Sequence, residues 1–186
     1  MRRLVRGALA LVIILAGAAS ARADAAFSDQ LCPEATQYVV ALGTVKPTDA
    51  QAVYAAVHAA ANAYDNCSKR QLSDGNIEPG VHYAYTREAS YEIVEGRALV
   101  ALNRPADAKT VTQNARRLAQ DVIDWRRSYE QSSSGNSITS SGSDTRPSTY
   151  RDSAKDIVAA ANDLLTKLAD VPAPAASATP APSPHR

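Results

Sequence analysis

PADAKTVTQNARRLAQDVIDWRRSY, residues 105–129, is the stretch on which the fold turns. Val111, Ala115, Leu118, Val122, Trp125 and Tyr129 recur at intervals of four and three, which gathers them on one face of an α-helix. Arg116-Arg117 and Arg126-Arg127, interleaved with Asp121 and Asp124, fall outside that stripe. Pro105 suits a first helical position, where its missing N–H costs nothing. The break Asn103-Arg104-Pro105 is so tight that the helices on its two sides must run antiparallel.

Working outward, a helix is expected upstream from about Gly80 to Leu102, after the turn-rich Ser73-Asp74-Gly75-Asn76. Before it, Val53, Val57, Ala60, Tyr64 and Cys67 repeat at four-three spacing. That helix is expected to start at Thr48, with Gln51 completing a capping box, and to end near Arg70. A shorter helix spans Pro33 to Leu42, stopped by Gly43. Downstream, Ile157, Val158, Ala161, Leu164, Leu165 and Leu168 mark another. No run reads as a strand. The sequence therefore predicts an all-α fold, a small antiparallel bundle of about five helices. Residues 24–130 form the helical domain and 131–148 a flexible Ser/Gly-rich linker. Residues 149–170 form an amphipathic helix that packs on the bundle or on a partner, and 171–186 a disordered Pro/Ala-rich tail.

The beginning of the chain reads as a secretory signal, residues 1–23. Arg2, Arg3 and Arg6 precede an apolar run from Ala8 to Ala19, and Ala21-Arg22-Ala23 gives the small-x-small cleavage pattern. The run is short for a bilayer span, which takes about 20 residues. Arg6 disfavours the twin-arginine route, and Cys32 lies too far along for lipid attachment. Cleavage takes four of the 20 basic side chains and none of the 19 acidic ones, so the net charge moves from +1 to −3. A periplasmic or secreted protein without a stable membrane span is expected. The near-neutral balance disfavours nucleic acid, which selects a strongly basic surface. In an oxidising compartment Cys32 and Cys67 are expected to pair, because neither has the CxxC or His neighbours of a redox or metal site.

Around the Asn103-Arg104-Pro105 turn, Gly96, Ala108 and Ala115 put small residues where two helices cross. Over about residues 89–122 the hairpin resembles a tetratricopeptide repeat. It departs from that pattern at Glu92, Thr112 and Gln120, where an aromatic, a large apolar residue and a proline are usual. The resemblance implies a protein- or peptide-binding scaffold.

Candidate contact residues are few. The eight tyrosines stand against one Phe and one Trp, and Tyr83, Tyr85 and Tyr91 cluster on one helix, where they either line a groove or fill an Ala-rich core. His58 and His82 lack partners at metal-ligand spacing and read as surface or half-buried. Glu88, Glu92 and Glu95 share a helical face. With Arg87, Arg97 and Arg104 nearby they read as a solvated face or an ion-pair network. Arg116 and Arg117 suit an oxyanion, weakened by the neighbouring acids. No nucleophile elbow or phosphate loop is present, and no cofactor or metal is expected. A non-catalytic interaction or scaffold module is therefore expected, with a protein or peptide of the cell envelope as its partner. One alternative is a small-ligand carrier using His58 or His82 and the tyrosines. The other is an enzyme built on Glu88, Glu92 and His82, which would need carboxylates converging in a cleft.

Overall fold

The computed structural model describes residues 30–76, 80–133 and 146–169, the side chains of 126–133 and 146–149 excepted. These residues form five helices and no strand: α1 Pro33–Leu42, α2 Ala50–Ser73, α3 His82–Ala101, α4 Pro105–Ser133 and α5 Arg146–Ala169. The expected signal segment 1–23, the tail 171–186 and the middle of the expected linker, 134–145, lie outside the described residues. α4 and α5 each extend a few residues into that linker.

The turn between α3 and α4 is built as its sequence requires. Asn103 takes a left-handed backbone, φ 58°, which Asn tolerates better than most residues. The Arg104 N–H then reaches back to Leu99 O at 2.8 Å, and the Asn103 N–H to Val100 O at 3.0 Å. Both close carbonyls that the helix end leaves open. α2 begins one residue later than the expected box: Asp49, not Thr48, caps it, its Oδ1 accepting the Ala52 N–H at 3.0 Å. A carboxylate accepts that bond more strongly than a hydroxyl and suits the positive helix end.

α3 is central. It packs against α2, α4 and α5, while α1 lies on α2. The stripe on α2 is buried as expected, from Val53 through Cys67. α5 folds back on the bundle, with Ala154, Ile157, Ala161, Leu164 and Leu168 buried. On α4 the buried face is wider than the stripe, taking in Ala108, Thr112, Ala119 and Ile123, because α3 and α5 both cover it. Trp125 departs from the expectation: it is 46% exposed and meets His82 edge-on, ring centroids 5.8 Å apart. Tyr64, Tyr83, Tyr91 and Tyr150 bring α2, α3 and α5 together in an aromatic cluster. Tyr64 stacks on Tyr91 at 5.7 Å and meets Tyr83 edge-on at 5.9 Å.

Two local devices hold these contacts. Cys32, just before α1, is bonded to Cys67 of α2, with Cα atoms 5.4 Å apart. Arg70 and Gln71 each donate to Leu31 O at 2.6 Å, and Arg70 also pairs with Glu34. At the crossing of α3 and α4 the close approach expected from Gly96, Ala108 and Ala115 is present. A Cβ on Gly96 would stand 2.6 Å from Thr112 Oγ1 and 3.1 Å from Leu164 Cδ2. Thr112 is fully buried and its hydroxyl donates to Ala108 O at 2.6 Å, so it has little freedom to move aside.

The disulfide spans 35 residues, a loop whose closure is worth about 3–4 kcal/mol in the unfolded-chain model. Cys32→Ser/Cys67→Ser should lower unfolding stability by that order in urea titration, and a change below about 1 kcal/mol would contradict it. Gly96→Val should cost about 1–3 kcal/mol by overpacking, read in the same titration, whereas Val at the exposed Gly43 should cost far less.

Candidate functional site

α2 and α4 both pack on α3 yet barely touch each other. The space between them is a cleft of about 520 Å³ with α3 as its floor. Tyr85, Glu88, Glu92 and Glu95 stand on that floor at three-four-three spacing, one side of the helix. The three carboxyl groups run along about 10 Å of it. α2 contributes His58, Asn62, Asp65, Lys69 and Leu72 to one wall, and α4 contributes Val111, Asn114, Arg117 and Leu118 to the other.

The carboxyl groups are out of water: Glu88 is 6% exposed, Glu92 8% and Glu95 3%. Their partners differ. His58 Nδ1 lies 2.9 Å from Glu95 Oε1. Asn114 Nδ2 donates to Glu92 Oε1 at 2.7 Å, and Arg117 holds Asn114 by donating to its Oδ1 at 2.8 Å. Arg117 also donates to Asp121 at 3.1 Å, and Lys69 to Asp65 at 2.6 Å. Glu88 Oε2 and Glu92 Oε2 are buried with no hydrogen-bond partner in the protein. Such groups are rare because each forfeits the hydrogen bonds water supplied.

Burial sets the protonation of the row. It pushes Glu88 from its ordinary 4.5 up to about 8, helped by the neighbouring Glu92 and Asp65 and opposed by Arg117 and Lys69. Burial lifts Glu92 to about 7, against the Asn114 hydrogen bond and with Glu95 adding repulsion. Glu95 is also raised by burial, and the His58 contact opposes the rise. Near neutral pH Glu88 is therefore held mainly as the neutral acid, able to donate as well as accept. Tyr85, at the end of the row, is likewise raised, by desolvation first.

The solvated network expected for Glu88, Glu92 and Glu95 is thus corrected, because the helix that carries them is walled on both sides. Of the arginines expected to neutralise them, Arg104 pairs with Asp107 and lies over Tyr54 yet still opposes the rise of Glu95 by its charge, whereas Arg87 lies over the Tyr91 ring and Arg97 is exposed. Of the expected contact residues, the fold brings His58, Tyr85 and Arg117 into the cleft. His82 is not at the surface but 5% exposed beside Trp125, and it lines no part of the cleft. Tyr83 belongs to the core, and Tyr91 packs against it with Tyr64. Arg116 stays exposed on α4, beside a shallow hollow shared with Gln113 and Gln120. Asn114, Asp65 and Lys69 are the site residues that sequence reasoning missed. Each sits at helical spacing from a cleft residue on its own helix, a signal that becomes usable once α2 and α4 are known to face each other. Among the described residues no cluster of His, Cys, Asp or Glu is arranged to hold a metal ion. No family model matches the chain, and neither a curated protein nor a solved structure is significantly similar to it.

The row makes stability pH-dependent with a definite sign. Glu88 and Glu92 bind protons more tightly folded than unfolded, so the folded state carries extra protons above about pH 4.5. Their burial costs least below that pH, and stability falls as pH rises through about 7 and 8. Glu88→Gln should match the wild type near pH 4.5 and exceed it above pH 8, read as urea midpoints across that range. A variant that gains nothing at the alkaline end would show that Glu88 ionises without cost.

Proposed function

We propose that this chain is an extracytoplasmic binding protein that holds a small polar ligand in the cleft between α2 and α4. The observation that carries the proposal is the pair of dry, unpartnered oxygens, Glu88 Oε2 and Glu92 Oε2, on a cleft floor of ligand size. A purely structural acidic network would close its own hydrogen bonds. Here Glu95 and one oxygen of Glu92 are satisfied by His58 and Asn114, whereas Glu88 Oε2 and Glu92 Oε2 have no such partner in the protein. The buried Cys32–Cys67 bond and the signal-like residues 1–23 support an oxidising compartment. None of the described helices is long and apolar enough to cross a membrane.

A scaffold for a protein partner, the function expected from the sequence, draws less support. The large apolar residues exposed among the described ones, Val40, Leu72, Val100 and Trp125, belong to four different helices. A second reading uses the same carboxyl groups for acid–base chemistry. Glu88 is a neutral acid near pH 7, and the His58 imidazole lies against Glu95 within the same cleft. His82, expected to join such a site, takes no part in it.

The protein purified gently from its native cell envelope, then denatured and analysed by mass spectrometry, should release a small polar compound in near-stoichiometric amount. Glu88→Leu/Glu92→Leu, checked for intact helicity by circular dichroism, should release little or none. A stoichiometric protein partner with no small molecule would favour the scaffold instead.

A further inference from the structure

Resting on the cleft as a small-ligand site, we infer that the ligand is an organic cation whose ammonium or guanidinium head lies between Glu88 and Glu92 and whose carbon chain runs along Tyr85. Charge pairing inside the cleft is what selects a cation. Lys69 is engaged by Asp65, Arg117 by Asp121 and Asn114, and His58 by Glu95. With every resident basic group that lines the cleft so occupied, the acids left over are Glu88 and the free oxygen of Glu92. They sit one helical turn apart, a separation that one ammonium or guanidinium spans. Both heads are donors only and carry the charge that two buried carboxylates require. An anion finds the cleft's basic groups already engaged, and a neutral alcohol supplies a hydrogen bond without the charge.

The rest of the lining fits a carbon chain. Tyr85 is half-buried on the same face of α3, and Leu72 and Leu118 line the cleft from the two walls. Because α2 and α4 both run antiparallel to α3, these three lie toward the same end of the row, away from His58 and Glu95.

Proton exchange follows from the same arrangement. A bound cation favours the ionised carboxylates, so Glu88 and Glu92, raised to about 8 and about 7 by burial, give up protons as it enters. The groups facing them are Asp65, Lys69 and His58 from α2, Arg117 from α4, and Tyr85 and Glu95 on α3 itself. None of the described side chains of α5 lines the cleft. Binding should therefore tighten between about pH 6 and pH 8.5.

Isothermal titration of the disulfide-bonded chain tests this with n-butylamine, 1,4-diaminobutane and butylguanidine as probes. Butanol and butyrate serve as uncharged and anionic controls, and tetramethylammonium as a cation without N–H. At least one N–H cation should bind measurably at pH 8 and at least about tenfold more weakly at pH 6. Glu88→Gln/Glu92→Gln, folded by circular dichroism, should weaken it by about tenfold or more. The butylamine and butylguanidine arms show which head is preferred. Equal binding of butanol or butyrate, cation binding unchanged in the double variant, or no binding of any N–H cation up to about 10 mM would each overturn the cation assignment. A neutral or anionic compound released from the native protein, and lost with Glu88→Leu/Glu92→Leu, would overturn it too while leaving the cleft as a binding site. Failure of the cleft itself would show as native material that carries no small molecule.

Discussion

A helix packed on three sides has almost no surface to give to water, and α3 is in that position. α2, α4 and α5 all lie against it, so most of what its sequence carries is enclosed, Glu88, Glu92 and Glu95 included. Gly96 sets how close the enclosure is on the α4 and α5 side, since a Cβ there would strike Thr112 and Leu164. On the opposite side the walls are held apart, because α2 and α4 each pack on α3 but not on one another. The same packing that buries Ile93 and Leu99 thus leaves an unfilled trough over Glu88, Glu92 and Glu95. The chemistry of the cleft depends on that geometry, because carboxyl groups in water would be ordinary anions of no particular affinity.

Much of this was legible in the chain. Apolar residues at four-three spacing on α2, α4 and α5 report faces that need covering, and the short Asn103-Arg104-Pro105 break fixes how two of them meet. The Cys32–Cys67 pairing followed from a signal-like leader and from Cys67 lying in the α2 stripe. Other features were not legible, each for a physical reason. Trp125 lies in the α4 stripe by periodicity, yet it is half exposed, and His82 sinks beneath it. A stripe gives the direction of a core, not where along the helix the core ends. The row of glutamates has the pattern of a solvated helix face, and only the number of helices around α3 makes it something else. Asn114 and Asp65 are unremarkable on their own helices and acquire meaning from what faces them.

Burying acids costs stability, and the chain offsets that cost unevenly. His58 accompanies Glu95, and a relay from Asp121 through Arg117 to Asn114 reaches one oxygen of Glu92. Nothing in the protein reaches Glu88 Oε2 or Glu92 Oε2. Protonation is one response open to such oxygens, and a donor from solution is the other. Under the proposed function, stability and occupancy are coupled through the same two side chains, in the manner of functional sites that trade local stability for binding.

The central claim is that Glu88 is dry enough to remain a neutral acid near pH 7. Carbon-13 NMR titration of the side-chain carboxyl groups in the full disulfide-bonded chain, assigned with Glu88→Gln, measures it directly. A Glu88 midpoint near 8, far above its ordinary 4.5, is expected. A midpoint close to 4.5 would mean that water reaches the carboxylate freely, and the cleft would then be an ordinary solvated groove.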